Sequence, residues 1–587
     1  MSTVAKWSKG AQFLVQDTSS ELVFTPEDRT DEQRMIEQTT LQFIEKEVIP
    51  QKERIENQDF PLVAKLMRKA GELGLLAHSI PERFGGLGLD KVSKGIVGGS
   101  LGGASGYSVA HSNHTCIATL PITYFGTEEQ KERYLPKLAS GEYIGAYCLT
   151  EPEAGSDALS AKTSAVLNEE GTHYVLNGTK IYITNASFAH TFIVYAKVDG
   201  KHFSAFIVEK NFPGLTIGPE EQKMGIKGSS TCSVILEDCH VPVENLLGEV
   251  GKGHLIALNV LNLGRYNLGF ATTGAAKSVL KETLEQITER KQFGKSIAEF
   301  PATKEKIARL GSRLYATEAV MYRTGGLVEG ALEGLYESDE YQTIAKAMNE
   351  HSLESAICKV MGSETLDEMV DEGVQLQGGA GFIKEYPIEQ AYRDARINRI
   401  FEGTNEINRL LIPGVFFKKA AKGEFDAKSV MEKAQVDLQQ HSTALEDLSI
   451  SEQMQSAVTL IRNLFLVCAG AAYEKYGEAM KEEQELLMRL ANLAISLYGV
   501  ESAVLRTLKA GEKSDCKQEL TMFFIREELW QVERNAKELA MPLLKGDIQK
   551  YFIHTISTRI NEYLSADSLP TGRSIADTFI REKKYVC

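Results

Sequence analysis

The chain has 587 residues, which is too many for one hydrophobic core, so we expect about three or four domains. Its hydrophobic content of 43% and charged content of 25% are typical of a globular protein. The formal charge of −15 argues against nucleic acid as a partner, because phosphate binding needs a basic surface.

Cysteine usage and the N-terminus predict a cytoplasmic location. The eight cysteines are scattered and form no CxxC pair, which is typical of a reduced, intracellular protein. The N-terminal "MSTVAKWSKGAQFLVQDTSSELVF" has no apolar signal core, and its acids fit a transit peptide poorly. We find no apolar run of transmembrane length.

Apolar spacing predicts helices first and strands next. "RTDEQRMIEQTTLQFIEKEVIP" and "PLVAKLMRKAGELGLL" carry apolar residues at helical spacing. Between about residues 160 and 245, short β-branched segments such as "HTFIVYAKV" and "HFSAFIVEK" alternate with turn residues. This change of period predicts an antiparallel sheet domain inserted between helical domains.

Long amphipathic helices return at about residue 252. The segment "GVFFKKAAKGEF" (414–425) is basic and contains glycine, and it predicts a linker. Residues 426–565 again have a helical pattern.

Two motifs suggest ligand sites but lack the context that such sites need. "FGKS" (293–296) is similar to the end of a phosphate-binding P-loop, but it leaves a predicted helix where that motif should enter one. His111, His114 and Cys116 in "HSNHTC" have no second ligand cluster. We therefore predict packing or capping roles for them and no metal site.

The stretch "IFEGTNEIN" (400–408) places Glu402 and Glu406 four residues apart among apolar neighbours. One interpretation is a helix start with an exposed acid near its positive end. Another is a desolvated carboxylate whose raised pKa makes it a proton acceptor. A glycosidase acid pair is disfavoured, because no sugar-binding aromatic platform accompanies it. The residues alone leave the first two interpretations open.

An ordered series of motifs carries a family resemblance. The motifs are "YCLTEPEAGSDALS" (147–160), "KIYITNA" (180–186), "KMGIKGSSTCSVILEDCHVPVENLLGEVGKG" (223–253), "ERKQFGKSIAEFPATK" (289–304), "QLQGGAGFIKEYPIEQAYRDARI" (375–397) and "FEGTNEI". This series closely resembles the acyl-CoA dehydrogenase family of flavoproteins over roughly residues 35–415. The helical region beyond residue 415 resembles the extension of that family's very-long-chain branch.

The resemblance implies a mainly α fold with a β-domain. Its segments are an N-terminal arm (1–34), an N-terminal helical domain (35–145), a middle antiparallel β-domain (146–251), a C-terminal four-helix bundle (252–415) and an additional C-terminal helical domain (426–587).

The activity implied by the resemblance is FAD-dependent α,β-dehydrogenation of fatty acyl-CoA, with long chains favoured. The product would be a trans-2-enoyl-CoA of β-oxidation, and the electrons would pass to an electron-transferring flavoprotein. Glu402 matches the family's catalytic base. A minority of members carry the base at the position of Gly264, which cannot serve. An acyl-CoA oxidase, a dehydrogenase for branched or aromatic acyl groups and a non-catalytic scaffold remain as alternatives.

The same correspondence implies the ligand contacts. The FAD-binding residues would be Tyr147, Leu149, Thr150, Ser156, Tyr182, Thr184, Arg290, Phe293, Gln375, Gly378, Gly379, Thr404, Asn405 and Glu406. Among them, Arg290 and the 375–379 segment would reach the FAD of a neighbouring subunit. The acyl-CoA contacts would be Ser156, Asn262, Arg265, Phe401 and Gly403.

The extension also bears on assembly. In the very-long-chain branch it occupies a surface that other members use to join two dimers, so the resemblance implies a homodimer. Peripheral membrane contact through amphipathic helices is left open.

Overall fold

The computed structural model describes residues 9–335, 338, 340–440, 444–511 and 515–587. The start of the predicted N-terminal arm, residues 1–8, lies outside the described residues. The rest of the arm contains 3-10 turns and lies against the C-terminal helices.

Short helices form the N-terminal domain. They are α1 (Asp31–Phe43), α2 (Lys52–Glu56), α3 (Phe60–Glu72), α4 (Lys91–Ser100), α5 (Ser105–Asn113), α6 (Leu120–Phe125) and α7 (Glu128–Ser140). The helix α1 begins with a capping box. The Thr30 hydroxyl accepts a hydrogen bond from the Gln33 main-chain N–H, and the Gln33 side chain accepts one from the Thr30 N–H. The helix α3 buries Val63, Leu66 and Met67 on one face.

One sheet forms the middle domain. Its strands are β1 (Gly145–Cys148), β2 (Ser164–Leu167), β3 (His173–Thr184), β4 (Thr191–Val198), β5 (His202–Glu209), β6 (Leu215–Glu220), β7 (Thr231–Pro242) and β8 (Leu246–Leu247). The order is β6-β7-β3-β2-β4-β5-β8, and β1 pairs with β4. The predicted β-domain is confirmed, but the sheet is mixed, because β1 and β2 both run parallel to β4.

Helices longer than 25 residues dominate the next domain, and a small hairpin separates the first two. The elements are α8 (Gly253–Glu289), β9 (Lys291–Gln292), β10 (Lys295–Ser296), α9 (Pro301–Leu332), α10 (Tyr341–Glu350), α11 (Ser352–Gln377), α12 (Pro387–Ala395) and α13 (Asn405–Ala421). The false P-loop motif "FGKS" begins at the turn of this hairpin, where Phe293 and Gly294 both have positive φ.

The additional helical domain follows without the predicted linker. Its helices are α14 (Ala427–Gln439), α15 (Ile450–Tyr476), α16 (Gln484–Ala510), α17 (Asp515–Leu543), α18 (Gly546–Leu564) and α19 (Leu569–Glu582). The linker prediction for 414–425 was wrong over most of its length, because α13 continues to Ala421. Phe416 explains the continuation: its ring is buried and packs against Phe465 of α15.

One described helical segment, Ile450–Glu482, is long and apolar enough to cross a membrane by length and composition alone. This corrects the prediction that no segment reaches that limit. Inside the fold, 67% of its most apolar window is buried. The segment is therefore a core helix of the additional domain in this structure.

Buried ion pairs join the additional domain to the four-helix domain. Glu501 of α16 accepts hydrogen bonds from Arg323 of α9 at 2.7 Å and from Arg462 of α15 at 2.6 Å. All three side chains are almost completely buried. Nearby, Arg506 of α16 pairs with Glu318 of α9 at 2.9 Å. The same cluster holds the arm, since Arg462 also donates to the main-chain oxygen of Phe13.

We predict that Glu501→Gln destabilises the protein strongly, because it leaves the buried guanidinium of Arg323 without a carboxylate partner among the described residues, whereas Arg462 keeps Asp17. Breaking a buried pair in this way costs ~3–5 kcal/mol. Urea and thermal unfolding of the FAD-loaded protein measure the effect. The control is Glu538→Gln, whose carboxylate forms partly exposed pairs with Arg489 and Arg534. That change should cost less than ~1 kcal/mol. Equal losses in the two variants would contradict the assigned role.

Candidate active site

A cavity of about 550 Å³ opens between the middle sheet and the helices α5, α8 and α12. Many residues predicted from the sequence line it together, although they come from distant parts of the chain. They are Tyr147, Leu149, Thr150, Ser156, Tyr182, Thr184, Arg265, Phe401, Glu402 and Gly403. The structure therefore brings the predicted base, the predicted flavin loop and part of the predicted acyl-CoA contacts to one place.

Glu402 presents an unpartnered carboxylate to this cavity. Its Oε2 atom is inaccessible to solvent and has no hydrogen-bond partner among the described residues. The backbone there is left-handed, with φ of 58° at Glu402 and 80° at Gly403. A non-glycine residue in this region carries strain of ~1–3 kcal/mol, and such strain is common at functional sites. The loop thus turns a carboxylate inward that a helical backbone would direct elsewhere.

Hydrogen bonds to main-chain oxygens hold the Glu402 loop in place. Arg265 of α8 donates from Nε to the Glu402 oxygen at 3.2 Å. Asn408 of α13 donates from Nδ2 to the Gly403 oxygen at 2.7 Å and to the Glu402 oxygen at 3.4 Å. Arg265 itself is oriented by Asn262, whose Oδ1 accepts from Nη1 at 2.9 Å. Asn262 does not line the cavity. Its side chain instead contacts Arg265, which holds the loop.

Gly264 leaves space for the carboxylate. A Cβ atom added at Gly264 would lie 2.8 Å from Glu402 Oε2, closer than such atoms approach in proteins. A side chain at position 264 would therefore displace the Glu402 carboxylate. The sequence reasoning treated Gly264 only as a position that lacks a base, and missed that its smallness makes room for the other acid.

The charge state of Glu402 reflects its surroundings. Desolvation raises the pKa of Glu402 from 4.5 to about 7, against the opposing attraction of Arg265 and Lys359. A carboxyl group with a pKa near 7 is a stronger proton acceptor than an ordinary one and is still ionised to a large extent at neutral pH. Of the two interpretations of "IFEGTNEIN", this structure favours the desolvated acid.

An ion pair fixes the loop that carries Thr150. Lys180 of β3 is fully buried and lies 2.7 Å from Glu151 Oε1. Glu151 also accepts hydrogen bonds from Thr163, and the Thr150 oxygen accepts one from Ile181 N–H at 3.0 Å. Burial alone would raise the pKa of Glu151, but Lys180 and these hydrogen bonds hold it below its ordinary value. Glu151 is therefore an ionised structural residue and not a second base.

The end of β3 presents an aromatic ring to the cavity. The register with β7 shifts between Lys180 and Ile183, and Tyr182 has φ of 60°. This bulge redirects the strand. The ring of Tyr182 is 64% exposed within the chain, which is unusual for a cavity wall.

The cavity wall around Tyr182 fits the FAD that the resemblance implies. It combines an uncovered aromatic face with Thr150 and Thr184, whose hydroxyls have no hydrogen-bond partner in the described part of the chain. A flat ring with polar edges would cover the tyrosine ring and satisfy these hydroxyls.

A second group of predicted residues lies outside the cavity. Arg290 follows α8 and donates from Nη1 to the Gln377 oxygen at 2.8 Å. Gln375, Gly378 and Gly379 are exposed on the same segment as Gln377. Phe293, at the turn of the β9–β10 hairpin, is 93% exposed. The structure places these residues together on the surface, away from Glu402 of the same chain.

The three predicted residues at the start of α13 have different surroundings. Thr404 caps the helix by accepting from Ile407 N–H at 3.3 Å, and Glu406 is exposed. Asn405 is buried, its Oδ1 accepts from Lys359 at 2.6 Å, and its Nδ2 donates to Glu364 at 2.9 Å. Both ends of the amide are therefore used inside the protein.

The histidines of "HSNHTC" have structural partners. His111 Nε2 lies 3.1 Å from the Leu75 oxygen, and His114 Nε2 lies 3.0 Å from the Leu138 oxygen. No group of three or more His, Cys, Asp or Glu residues in the described ranges could hold a metal ion. Sequence reasoning missed Lys359, because a lysine in an amphipathic helix gives no signal that it is buried.

Comparisons with known proteins agree with this arrangement. Three family models match consecutive parts of the chain: the acyl-CoA dehydrogenase N-terminal domain (30–142), middle domain (146–239) and C-terminal domain (251–414). A further acyl-CoA dehydrogenase C-terminal domain model matches residues 460–557, within the additional helical domain.

The chain is also similar to individual proteins along its length. A probable acyl-CoA dehydrogenase of Bacillus subtilis is 50% identical over 584 residues, covering 98% of both chains. The human mitochondrial very long-chain specific acyl-CoA dehydrogenase is 36% identical over 471 residues, covering 75% of this chain and 70% of that protein.

Among solved structures, the acyl-CoA dehydrogenase from Bacillus anthracis, complexed with FAD, superposes with a TM-score of 0.96 at 46% identity. That match covers 99% of this chain and 100% of the other. Together with the cavity and its carboxylate, these matches show that the chain belongs to the acyl-CoA dehydrogenase family, whose enzymes use FAD.

Proposed function

We propose that this enzyme oxidises fatty acyl-CoA thioesters to trans-2-enoyl-CoA and that Glu402 removes the α proton. The observation that carries the proposal is the unpartnered, desolvated Oε2 atom of Glu402 in the cavity wall. An α-CH group beside a thioester is a very weak acid, so its base must be desolvated and aligned. A carboxylate already bound to donors would be a weaker base.

Main-chain geometry supplies the complementary group. The N–H of Glu402 has no hydrogen-bond partner among the described residues. The main chain is left-handed at Glu402. In the proposed reaction this N–H donates to the thioester oxygen while the carboxylate of the same residue accepts the α proton. A preorganised donor at that oxygen stabilises the charge that develops in the transition state.

FAD, when bound, supplies the acceptor for the β-hydride. The residues that would hold it are Tyr147, Leu149, Thr150, Ser156, Tyr182 and Thr184. Glu151 and Lys180 keep the loop that carries Thr150 in position. Electrons would then pass to an electron-transferring flavoprotein in β-oxidation, and we place the enzyme in the cytoplasm.

The cavity supports a preference for long acyl chains. Part of its wall, from residues 102–108 and from α8, is made of residues without bulky side chains. They are Gly102, Gly103, Ser105, Ser108, Ala271, Ala275 and Ser278. Small side chains leave room for an extended chain. The similarity to the human very long-chain specific enzyme points in the same direction.

We predict that Glu402→Gln keeps bound FAD but loses flavin reduction by more than the ~10²–10⁴-fold that is usual for a general base. The amide preserves shape but cannot accept the proton. Anaerobic bleaching of the flavin by acyl-CoAs of graded chain length measures the effect, with long chains bleaching wild type fastest. Glu406→Gln is the comparison, because Glu406 is exposed on the same segment and does not line the cavity. This change should affect mainly FAD affinity, and the FAD-loaded variant should bleach at nearly the wild-type rate.

The outcomes of this experiment are distinct. Near-normal bleaching in Glu402→Gln would show that another group is the base. Failure of every acyl-CoA to bleach wild type would contradict the proposed function. Fast return of the flavin colour when air is admitted would identify an oxidase instead of a dehydrogenase.

The exposed residues outside the cavity support a homodimer. Phe293 is 93% exposed and Phe382, which ends the glycine-rich segment 378–382, is 84% exposed. Burial of these two rings against a second subunit would remove their apolar surface from water. Arg290 and Gln375 flank them, so a second subunit covering this surface would place its bound FAD within their reach. We therefore propose that each FAD site is completed by residues of two subunits.

We predict that the combined change Phe293→Ser and Phe382→Ser converts a dimer to a monomer, and that Arg290→Ala keeps the dimer but lowers FAD occupancy. Loss of apolar area weakens association, whereas loss of the guanidinium removes a phosphate partner. Light scattering and flavin absorbance measure the two effects. Ile548→Ser is the control, since Ile548 is 66% exposed on the additional domain. A wild-type tetramer at all concentrations would contradict the dimer.

A further inference from the structure

One fully buried lysine lacks the carboxylate partner that two other buried lysines have. Lys359, on α11, is 0% exposed. Lys180 pairs with Glu151, and Lys419 pairs with Glu350 and Glu424. In contrast, no carboxylate of the described residues lies within ion-pair distance of Lys359, and its Nζ donates at 2.6 Å to a neutral amide oxygen, Oδ1 of Asn405. Burying an ammonium group without an anionic partner costs free energy. The position of Lys359 therefore needs an explanation.

The amide that Lys359 contacts belongs to the Glu402 loop. Asn405 is the first residue of α13 and lies three positions after Glu402. Its Nδ2 donates to Ser363 Oγ at 3.1 Å and to Glu364 Oε1 at 2.9 Å, both on α11. Lys359 and these two residues therefore fasten the end of the loop to α11 through one side chain.

The nearest carboxylate on α11 is already matched by another cation. Arg409 of α13 donates to both oxygens of Glu364, at 2.7 and 2.9 Å. This bidentate pair satisfies the charge of Glu364. The opposite charge that remains unmatched near Lys359 is the carboxylate of Glu402, whose Oε2 has no partner.

The charged and titratable groups around this pair come from every neighbouring element. Facing Glu402 or Lys359 are Arg265 of α8, Glu364 of α11, Glu406 of α13, Cys116 between α5 and α6, and Tyr147 of β1. Burial raises the pKa of the Cys116 thiol and of the Tyr147 phenol, so both are neutral near pH 7. Arg265 and Lys359 are therefore the two cations that act on Glu402.

Glu402 and Lys359 each shift the pKa of the other. Burial lowers the pKa of Lys359 to about 7, and the Glu402 carboxylate is the foremost attraction that opposes this effect. Desolvation raises the pKa of Glu402, and Lys359 opposes that rise. The charge of each group therefore favours the ionised form of the other.

We propose that Lys359 is a positioning residue for the reaction: it anchors the Glu402 loop through Asn405, and its charge keeps Glu402 ionised in a wall that would otherwise protonate it. This role rests on the proposed function of Glu402 as the base. The juxtaposition of the unpaired ammonium, the shared amide and the unpartnered carboxylate is what carries it.

The test is the pH dependence of anaerobic flavin reduction at low acyl-CoA concentration, which reports the ionisation of the free enzyme. In wild type the rate should rise with pH through about 7, as Glu402 ionises. Lys359→Met removes the cation that favours the carboxylate. Its midpoint should therefore move up by about one pH unit. At pH 7 the rate should fall ~5-fold, and at high pH it should approach the wild-type rate.

Two further variants separate charge from packing. Lys359→Arg retains the cation and should restore the wild-type midpoint. Lys419→Met removes another buried lysine, one that pairs with Glu350 and Glu424 outside the cavity. It should leave the midpoint unchanged whatever it does to stability. A Lys359→Met enzyme whose rate is reduced equally at every pH, with an unmoved midpoint, would overturn the proposal, because that result indicates a merely structural role.

A readout without turnover keeps this test independent of the proposed function. Infrared difference titration of the FAD-loaded protein, with Glu402→Gln subtracted, follows the protonated carboxyl of Glu402 directly. The Lys359→Met titration should lie above that of wild type. Coincident titrations would overturn the role of Lys359 even if acyl-CoA bleaches the flavin normally. Failure of wild type to be bleached would instead count against the proposed function, and this titration would still decide the role of Lys359.

Discussion

The constraint on which the site depends is that the Glu402 carboxylate must lie in the cavity wall with no hydrogen-bond donor on Oε2. The structure satisfies this constraint by contacts to the backbone of the loop instead of contacts to the carboxylate. Arg265 and Asn408 hold main-chain oxygens of the loop, a left-handed turn directs the side chain inward, and Gly264 leaves it room. The groups that fix the base therefore leave its proton-accepting atom free.

Two other buried carboxylates are held in the opposite way. Glu151 with Lys180 and Glu501 with Arg323 are buried, but each has a matched partner. These pairs hold structural elements in place. The first orders the loop at Thr150, and the second joins the additional domain to the four-helix domain. The carboxylate of Glu402 and the ammonium of Lys359 have no such ion-pair partner among the described residues. This contrast separates the groups suited to chemistry from those that maintain structure.

The family, the helical and β regions and most of the cavity wall could be predicted from the sequence, because they depend on ordered motifs and on apolar periodicity. It could not show that 414–425 continues as helix, since burial of Phe416 against Phe465 is a tertiary contact. Nor could it show that the Asn405 side chain faces Lys359. Both features have one physical cause: the direction of a side chain is decided by the element packed against it.

The account requires that the folded protein loses stability by keeping Glu402 ionised, and the pH dependence of unfolding tests this most directly. Below about pH 4.5 the group is protonated in both states; between 4.5 and about 7 the unfolded chain ionises first, so stability falls as pH rises. Thermal unfolding of FAD-loaded wild type and Glu402→Gln should therefore diverge from pH 5 to pH 8. The variant should become more stable by up to ~3 kcal/mol. A variant that is less stable at pH 8, or a difference independent of pH, would contradict the account.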